Sequence, residues 1–215
     1  MTSHATHPPV AEHFDDAGQQ RHAAQLGMWI FLASELLVFA VLFTAYAAAR
    51  YWYPEPFAQA GTHLYKWIGI ANTAVLLLSS AAMAAAAESP PTAHRARAAW
   101  LTLTALLGTS FLIIKGYEYH LDLSEHLFPA IDFDPAPFDQ PLHAQLFFIF
   151  YWVITSLHAL HVLVGVVGIA FLAVQSGRSP TSSARHANTV HNIGLYWHFV
   201  DIVWLIILPL LYLNP

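Results

Sequence analysis

Glu35, Lys115, Glu118, His158, His161, His198 and Asp201 each sit inside, or at the end of, a stretch that is otherwise apolar. Glu35 interrupts LGMWIFLASELLVF at 26–39. His158 and His161 are three apart in SLHALHV, so on a helix they share one face. His198 and Asp201 are three apart in YWHFVDIVW, and Lys115 stands three residues before Glu118 in KGYEY. A charged side chain at the centre of a membrane helix costs roughly 2.5–3.5 kcal/mol on insertion scales. Each of these groups must therefore be paired, neutralised or wetted.

Their chemistry has plain and functional versions. Glu35 lies about nine residues into its apolar run, some 13 Å along a helix at ~1.5 Å per residue. It is either a carboxyl bonded to another helix or a proton-exchanging, regulatory group; Ser34 and Thr44, nearby in sequence, cannot neutralise it. Paired imidazoles three apart can bind a metal, but zinc and iron sites need further ligands. The nearest candidates, His191 and His198, belong to another apolar run. Interhelical packing is thus the plain reading of His158 and His161. His198 and Asp201 read as a polar pair within a seam that also carries Trp197 and Trp204, and Lys115 with Glu118 as an ion pair at a membrane rim.

The elements that must position these residues follow from composition. Of 215 residues, 57% are hydrophobic and 10% charged. Soluble domains carry about 25% charged residues, so the chain belongs to the membrane class. There is no cysteine, which excludes disulfides and thiolate-held metals, and the net charge is −5 with no basic block, which argues against nucleic acid as a partner. Residues 1–24 read as a polar, His-rich tail without the apolar core of a signal peptide. Residues 25–215 read as one all-α transmembrane domain. A membrane helix needs about 20 apolar residues. Five spans meet this, near 26–48, 67–87, 99–119, 145–174 and 190–213. With the N-terminus inside, inner segments hold Arg21, Arg95, Arg97, Arg178 and Arg185, and outer ones only Arg50 and Lys66. This asymmetry predicts N-terminus inside and C-terminus outside. The outer loop between spans three and four carries Asp122, Glu125, Asp132, Asp134 and Asp139. It reads as a solvated loop, with docking of a basic partner as the alternative.

Taken in order, five motifs resemble subunit III of the haem–copper respiratory oxidases, the cytochrome c oxidase subunit 3 family. They are LGMWIFLASELLVF, ANTAVLLLSS, LLGTSFLIIKGYEY, VITSLHALHVLVG and YWHFVDIVWLIIL. The chain is similar to the short bacterial form with five helices rather than seven. Lys115 stands where the family usually has Gln, and Thr155–His158 reads T-S-L-H where the family has T-G-F/L-H.

The resemblance implies a subunit without haem or copper, those centres belonging to subunits I and II. It implies a chain in the bacterial cytoplasmic membrane that packs on subunit I, associates with subunit II and possible small subunits, and binds phospholipid. Arg178, Arg185 and Trp197 are the candidate headgroup contacts. The complex would take electrons from cytochrome c, reduce O2 to water and translocate protons. Glu35 matches the family's carbodiimide-reactive glutamate. It would be a buried, largely protonated carboxyl that tunes proton uptake and supports sustained turnover. Glu118, His158, His161, His198 and Asp201 would serve interhelical packing. Within the same superfamily, a quinol oxidase subunit III and a nitric-oxide-reductase-associated homologue are alternatives. A stand-alone metal or haem protein built on His158, His161, His191 and His198 is the competing class. A proton-coupled transporter is disfavoured, because inverted repeats and broken spans are not seen.

Overall fold

An apolar chain in lipid must satisfy its own backbone hydrogen bonds, and a helix does so within one segment. The computed structural model describes the backbone of residues 17–90, 92–178 and 184–213. Its elements are α1 (Ala17–Trp52), α2 (Pro54–Gly61), α3 (Lys66–Glu88), α4 (His94–Ser124), β1 (Leu127–Phe128), β2 (Asp132–Phe133), α5 (Pro141–Arg178) and α6 (Ala184–Ile207). A π-helical end, Leu208–Leu213, continues α6.

Among the described residues, five helices are long and apolar enough to cross a membrane: α1, α3, α4, α5, and α6 with its π-helical end. All five lie on the predicted apolar runs, and most reach past the predicted ends. α1 starts at Ala17, inside the segment read as a tail, because AGQQRHAAQ consists mainly of good helix formers. α5 has 38 residues. About 20 suffice to span hydrocarbon, so its ends project beyond it.

Two small elements fill the stretches read as plain connections. α2 begins at Pro54, a position where the missing N–H is no loss. It lies on α5, with the Phe57 ring between those of Tyr46 (5.5 Å) and Phe147 (5.6 Å). In the long acidic loop, β1 and β2 pair antiparallel, Leu127 opposite Phe133 and Phe128 opposite Asp132. Much of the loop's acidity is engaged within the fold. Asp132 pairs with the His126 imidazole at 2.7 Å, and Asp134 accepts the Ala136 N–H at 2.9 Å. Glu125 accepts the Tyr65 hydroxyl, and that bond pushes the phenol up to about 12, keeping Tyr65 a neutral donor. Asp122 is not in the loop at all: it belongs to α4 and is buried.

α4 packs most extensively on α3 and α5, and α6 closes against the same two helices. α1 is peripheral. It leans on α5 and α6 through Leu32, Phe39 and Tyr46, buried and seven apart, with Met28, Glu35 and Leu42 half-buried between them. Such a seven-residue recurrence gives a narrow seam.

Close packing surrounds Trp197 of α6. A Cβ on Gly108 of α4 would stand 2.6 Å from its ring, and one on Gly165 of α5 would stand 2.7 Å from it. The glycines leave the room that a fully buried indole needs between three helices. Gly108→Ala and Gly165→Ala should each destabilise the chain by about 1–3 kcal/mol through overpacking. Gly116→Ala, with nothing within 4 Å, should be neutral or gain up to about 1 kcal/mol from helix propensity. Thermal melting of the three variants in detergent checks the contrast; equal losses would remove the packing explanation.

Candidate functional site

Two polar clusters lie inside the bundle. The first joins α1 to α5. Glu35 Oε2 lies 2.8 Å from His161 Nε2, and the pair is partly exposed, His161 by 13% and Glu35 by 21% of its side chain. The other imidazole nitrogen, Nδ1, faces the Leu157 carbonyl at 2.7 Å. A carbonyl only accepts, so Nδ1 carries its hydrogen. The bond to Glu35 then needs one more proton, placed either on the carboxyl or on Nε2. The pair thus holds one shared proton. Phe39 meets the His161 ring edge-on at 5.2 Å, and the Tyr196 hydroxyl donates to the His161 carbonyl at 3.0 Å. One turn before Glu35, Phe31 packs on Tyr196 at 6.0 Å. The seam of α1 therefore places Glu35 between two aromatic contacts.

The second cluster is closed. Lys115 and Glu118 form the ion pair that their spacing predicts, at 3.0 Å, but their side chains are only 2% and 0% exposed. The pair is thus enclosed by protein rather than open at the surface of the bundle. Both residues face into the bundle, where α5 and the π-helical end cover them. Lys115 Nζ also donates to the Tyr151 hydroxyl at 3.0 Å and to the Tyr212 hydroxyl at 2.6 Å. Tyr212 donates to Glu118 Oε1 at 2.8 Å, and Tyr151 to Asp122 Oδ2 at 2.6 Å. Asp122, Tyr151 and Tyr212 are the members that sequence reasoning missed. The i, i+7 spacing of Lys115 and Asp122 was the available signal for one of them.

The remaining predicted residues are dispersed. His158 is fully buried, stacked on Trp204 at 5.2 Å and edge-on to Phe111 at 5.6 Å. Neither of its ring nitrogens has a hydrogen-bond partner among the described residues. His198 and Asp201 do not bond to each other; both turn to Ser80 of α3. His198 Nδ1 lies 2.8 Å from the Ser80 hydroxyl, and Asp201 sits beside Ser80 with neither carboxyl oxygen making a hydrogen bond. Trp197 is 0% exposed, which withdraws it from the headgroup-facing set. The side chains of Arg178 and Arg185 lie outside the described residues. Among the described residues, no three His, Cys, Asp or Glu converge as a metal-binding group, so His158, His161, His191 and His198 are not brought together.

Five apolar helices, with polar clusters tied helix to helix, define a multi-pass membrane protein. Comparison with known proteins narrows this class. The sequence model of cytochrome c oxidase subunit III matches residues 13–214, and the chain belongs to that family. It is 30% identical over 206 residues to a cytochrome c oxidase subunit 3 of Thermostichus vulcanus, covering 93% of this chain and 91% of that one. It is 33% identical over 188 residues to a probable cytochrome c oxidase subunit 3 of Nocardia farcinica, covering 84% and 82%. A cytochrome bo(3) ubiquinol oxidase subunit 3 of Pseudomonas putida is 28% identical over 205 residues, covering 92% and 87%. The family is that of a subunit of an oxidoreductase complex in the membrane.

The proton count at Glu35 makes a prediction. In Glu35→Gln the new side-chain amide can donate to His161 Nε2 as a protonated carboxyl does, whereas an alanine methyl cannot. Glu35→Ala should therefore cost about 1–3 kcal/mol by orphaning the imidazole, and Glu35→Gln much less. Melting of the two variants tests this. A Gln variant as unstable as the Ala variant would mean that the amide does not replace the native bond to His161.

Proposed function

We propose that the chain is the non-catalytic subunit III of an aerobic haem–copper terminal oxidase. In this role it packs on subunit I, binds phospholipid, and supports proton uptake and sustained turnover. Haem and copper belong to subunits I and II, where O2 is reduced to water with proton translocation. The chain lies in a bacterial cytoplasmic membrane with its N-terminus inside, in keeping with the Arg and Lys asymmetry of its connections. Arg178 and Arg185 stand as candidate phospholipid contacts at the inner surface.

The observation that carries the site assignment is the 2.8 Å contact of Glu35 with His161, whose Nδ1 faces the Leu157 carbonyl, a pattern that calls for one proton between the two side chains. A group that holds one proton near the membrane interior, and is partly open to the surface, can take up or release that proton without a redox centre of its own. It tunes the proton environment rather than conducting the pumped proton. Cytochrome c is the proposed donor to the complex. The similarity to a ubiquinol oxidase subunit 3 keeps quinol as the second reading.

Two measurements test this. The chain should be pulled from its own membrane in mild detergent together with larger haem-bearing subunits. A copper-binding motif in the accompanying subunit II then identifies cytochrome c as donor, and its absence identifies quinol. A chain that elutes alone with stoichiometric haem or metal would overturn the subunit assignment. In the assembled oxidase, Glu35→Gln keeps the hydrogen bond but has no exchangeable carboxyl proton. It should assemble normally, slow proton uptake, and shorten the number of turnovers before inactivation severalfold. Unchanged uptake and lifetime would leave Glu35 a packing role only.

A further inference from the structure

The Lys115 cluster is not used by the proposed function, and its geometry is that of a filled binding site. An ammonium has three hydrogens and no acceptor. Here it meets three oxygens: Glu118 Oε2 at 3.0 Å, the Tyr151 hydroxyl at 3.0 Å and the Tyr212 hydroxyl at 2.6 Å. Each phenol gives its own hydrogen elsewhere, Tyr151 to Asp122 and Tyr212 to Glu118, so each keeps a lone pair for the ammonium. Around these oxygens stand aromatic faces. Nζ lies 4.6 Å from the Tyr151 ring centre, 4.8 Å from Tyr119, 5.3 Å from Tyr212 and 5.9 Å from Trp204. Rings within about 6 Å attract a cation through their negative faces. These groups come from α4, α5, α6 and the π-helical end, and the phenol–carboxylate bonds that orient the oxygens do not involve the lysine.

We infer that Glu118, Tyr151 and Tyr212, with the surrounding rings, form a cage for a primary ammonium ion, occupied in this chain by its own tethered Lys115. Two of the three oxygens, at 3.0 Å, stand at N–H donor distance and beyond the roughly 2.0–2.6 Å to which bound metal ions draw oxygens. Of the three oxygens that meet the ammonium, one is a carboxylate and two are phenols, with the Asp122 carboxyl one bond further out behind Tyr151, and the three donors of a primary ammonium are used without remainder. A quaternary ammonium has no hydrogens for these oxygens.

Lys115→Ala removes the atoms from Cγ to Nζ, which are those of n-propylammonium. The test heats detergent-solubilised membranes holding the full chain with its accompanying subunits and follows how much of it stays in solution. The Ala variant should melt several degrees below the natural chain. Millimolar n-propylammonium should restore most of that difference in a saturable way, and leave the natural chain unchanged. n-Propanol and tetramethylammonium should not restore it. Equal rescue by n-propanol would show a space-filling pocket without charge selectivity, and absence of rescue in a variant that still melts cooperatively would show no site; either overturns the inference. If the Ala variant does not accumulate, Lys115→Met and Glu118→Gln are compared singly and together. The cage requires the double variant to melt well above the temperature that the summed single losses predict, whereas additive losses sink it.

Discussion

A lysine ammonium has three hydrogens to place, and hydrocarbon offers an acceptor for none of them. Lys115 meets this constraint inside the chain, and several features that look unrelated follow from it. Acceptors must come from other elements, because its own helix supplies only Glu118 within reach. Tyr151 therefore faces α4 from α5, and Tyr212 arrives from the end of the chain. Pro209 lies at the start of that end, where its ring and missing N–H disturb an α-helical ladder. The turn widens into a π-helix, a form often found at functional positions. In this wider register Tyr212 reaches Lys115, and the Leu210 carbonyl receives the Tyr46 hydroxyl of α1 at 3.0 Å. One buried charge thus ties α4, α5 and the chain's end together, and the same end ties in α1.

α1 is held differently from the rest. α3, α4, α5 and α6 meet over broad faces, with Trp197 locked between two glycines. α1 has a narrow seam, and its polar bonds to the bundle include Tyr46 to Leu210 and Glu35 to His161. Its other apolar residues, among them Trp29, Ile30, Leu37 and Val41, are exposed to whatever surrounds the chain. In lipid there is no hydrophobic gain from burying them against another helix, so polar bonds and close packing decide the position of α1. A hydrogen bond that would be minor at a water-facing surface becomes one of the few fixed points of this helix.

How much of this was legible in the sequence depended on the distance over which the signal acts. The five crossings were legible because hydrocarbon thickness imposes a length and a polarity that each run shows by itself. α2 was hidden because Pro54 and Pro56 read as breakers, although a proline in a first turn is compatible with a helix start. The Lys115–Glu118 pair was legible from a spacing of three. Its burial was not, because spacing fixes a helix face but not what covers it, and Tyr151 and Tyr212 lie 36 and 97 residues away. Glu35 was flagged by its cost in an apolar run, yet its partner is 126 residues distant. His198 and Asp201 share a helix face as their spacing requires, but His198 bonds to Ser80 on α3, 118 residues away, and not to Asp201.

The two clusters also differ in what they can do, and exposure decides it. Lys115 and Glu118 are sealed at 2% and 0%, with the ammonium's three hydrogens all placed. A proton leaving that cluster would strand an unpaired charge in low dielectric, where such a charge is most costly. The cluster is suited to hold a fixed charge pair, and through it the geometry of three helices. Glu35 and His161 are open at 21% and 13%, and need only one proton between two bases. Moving that proton from one to the other changes where the charge lies without breaking the bond. The second pair joins the least enclosed helix to the bundle, whereas the first is sealed and joins α4, α5 and the π-helical end.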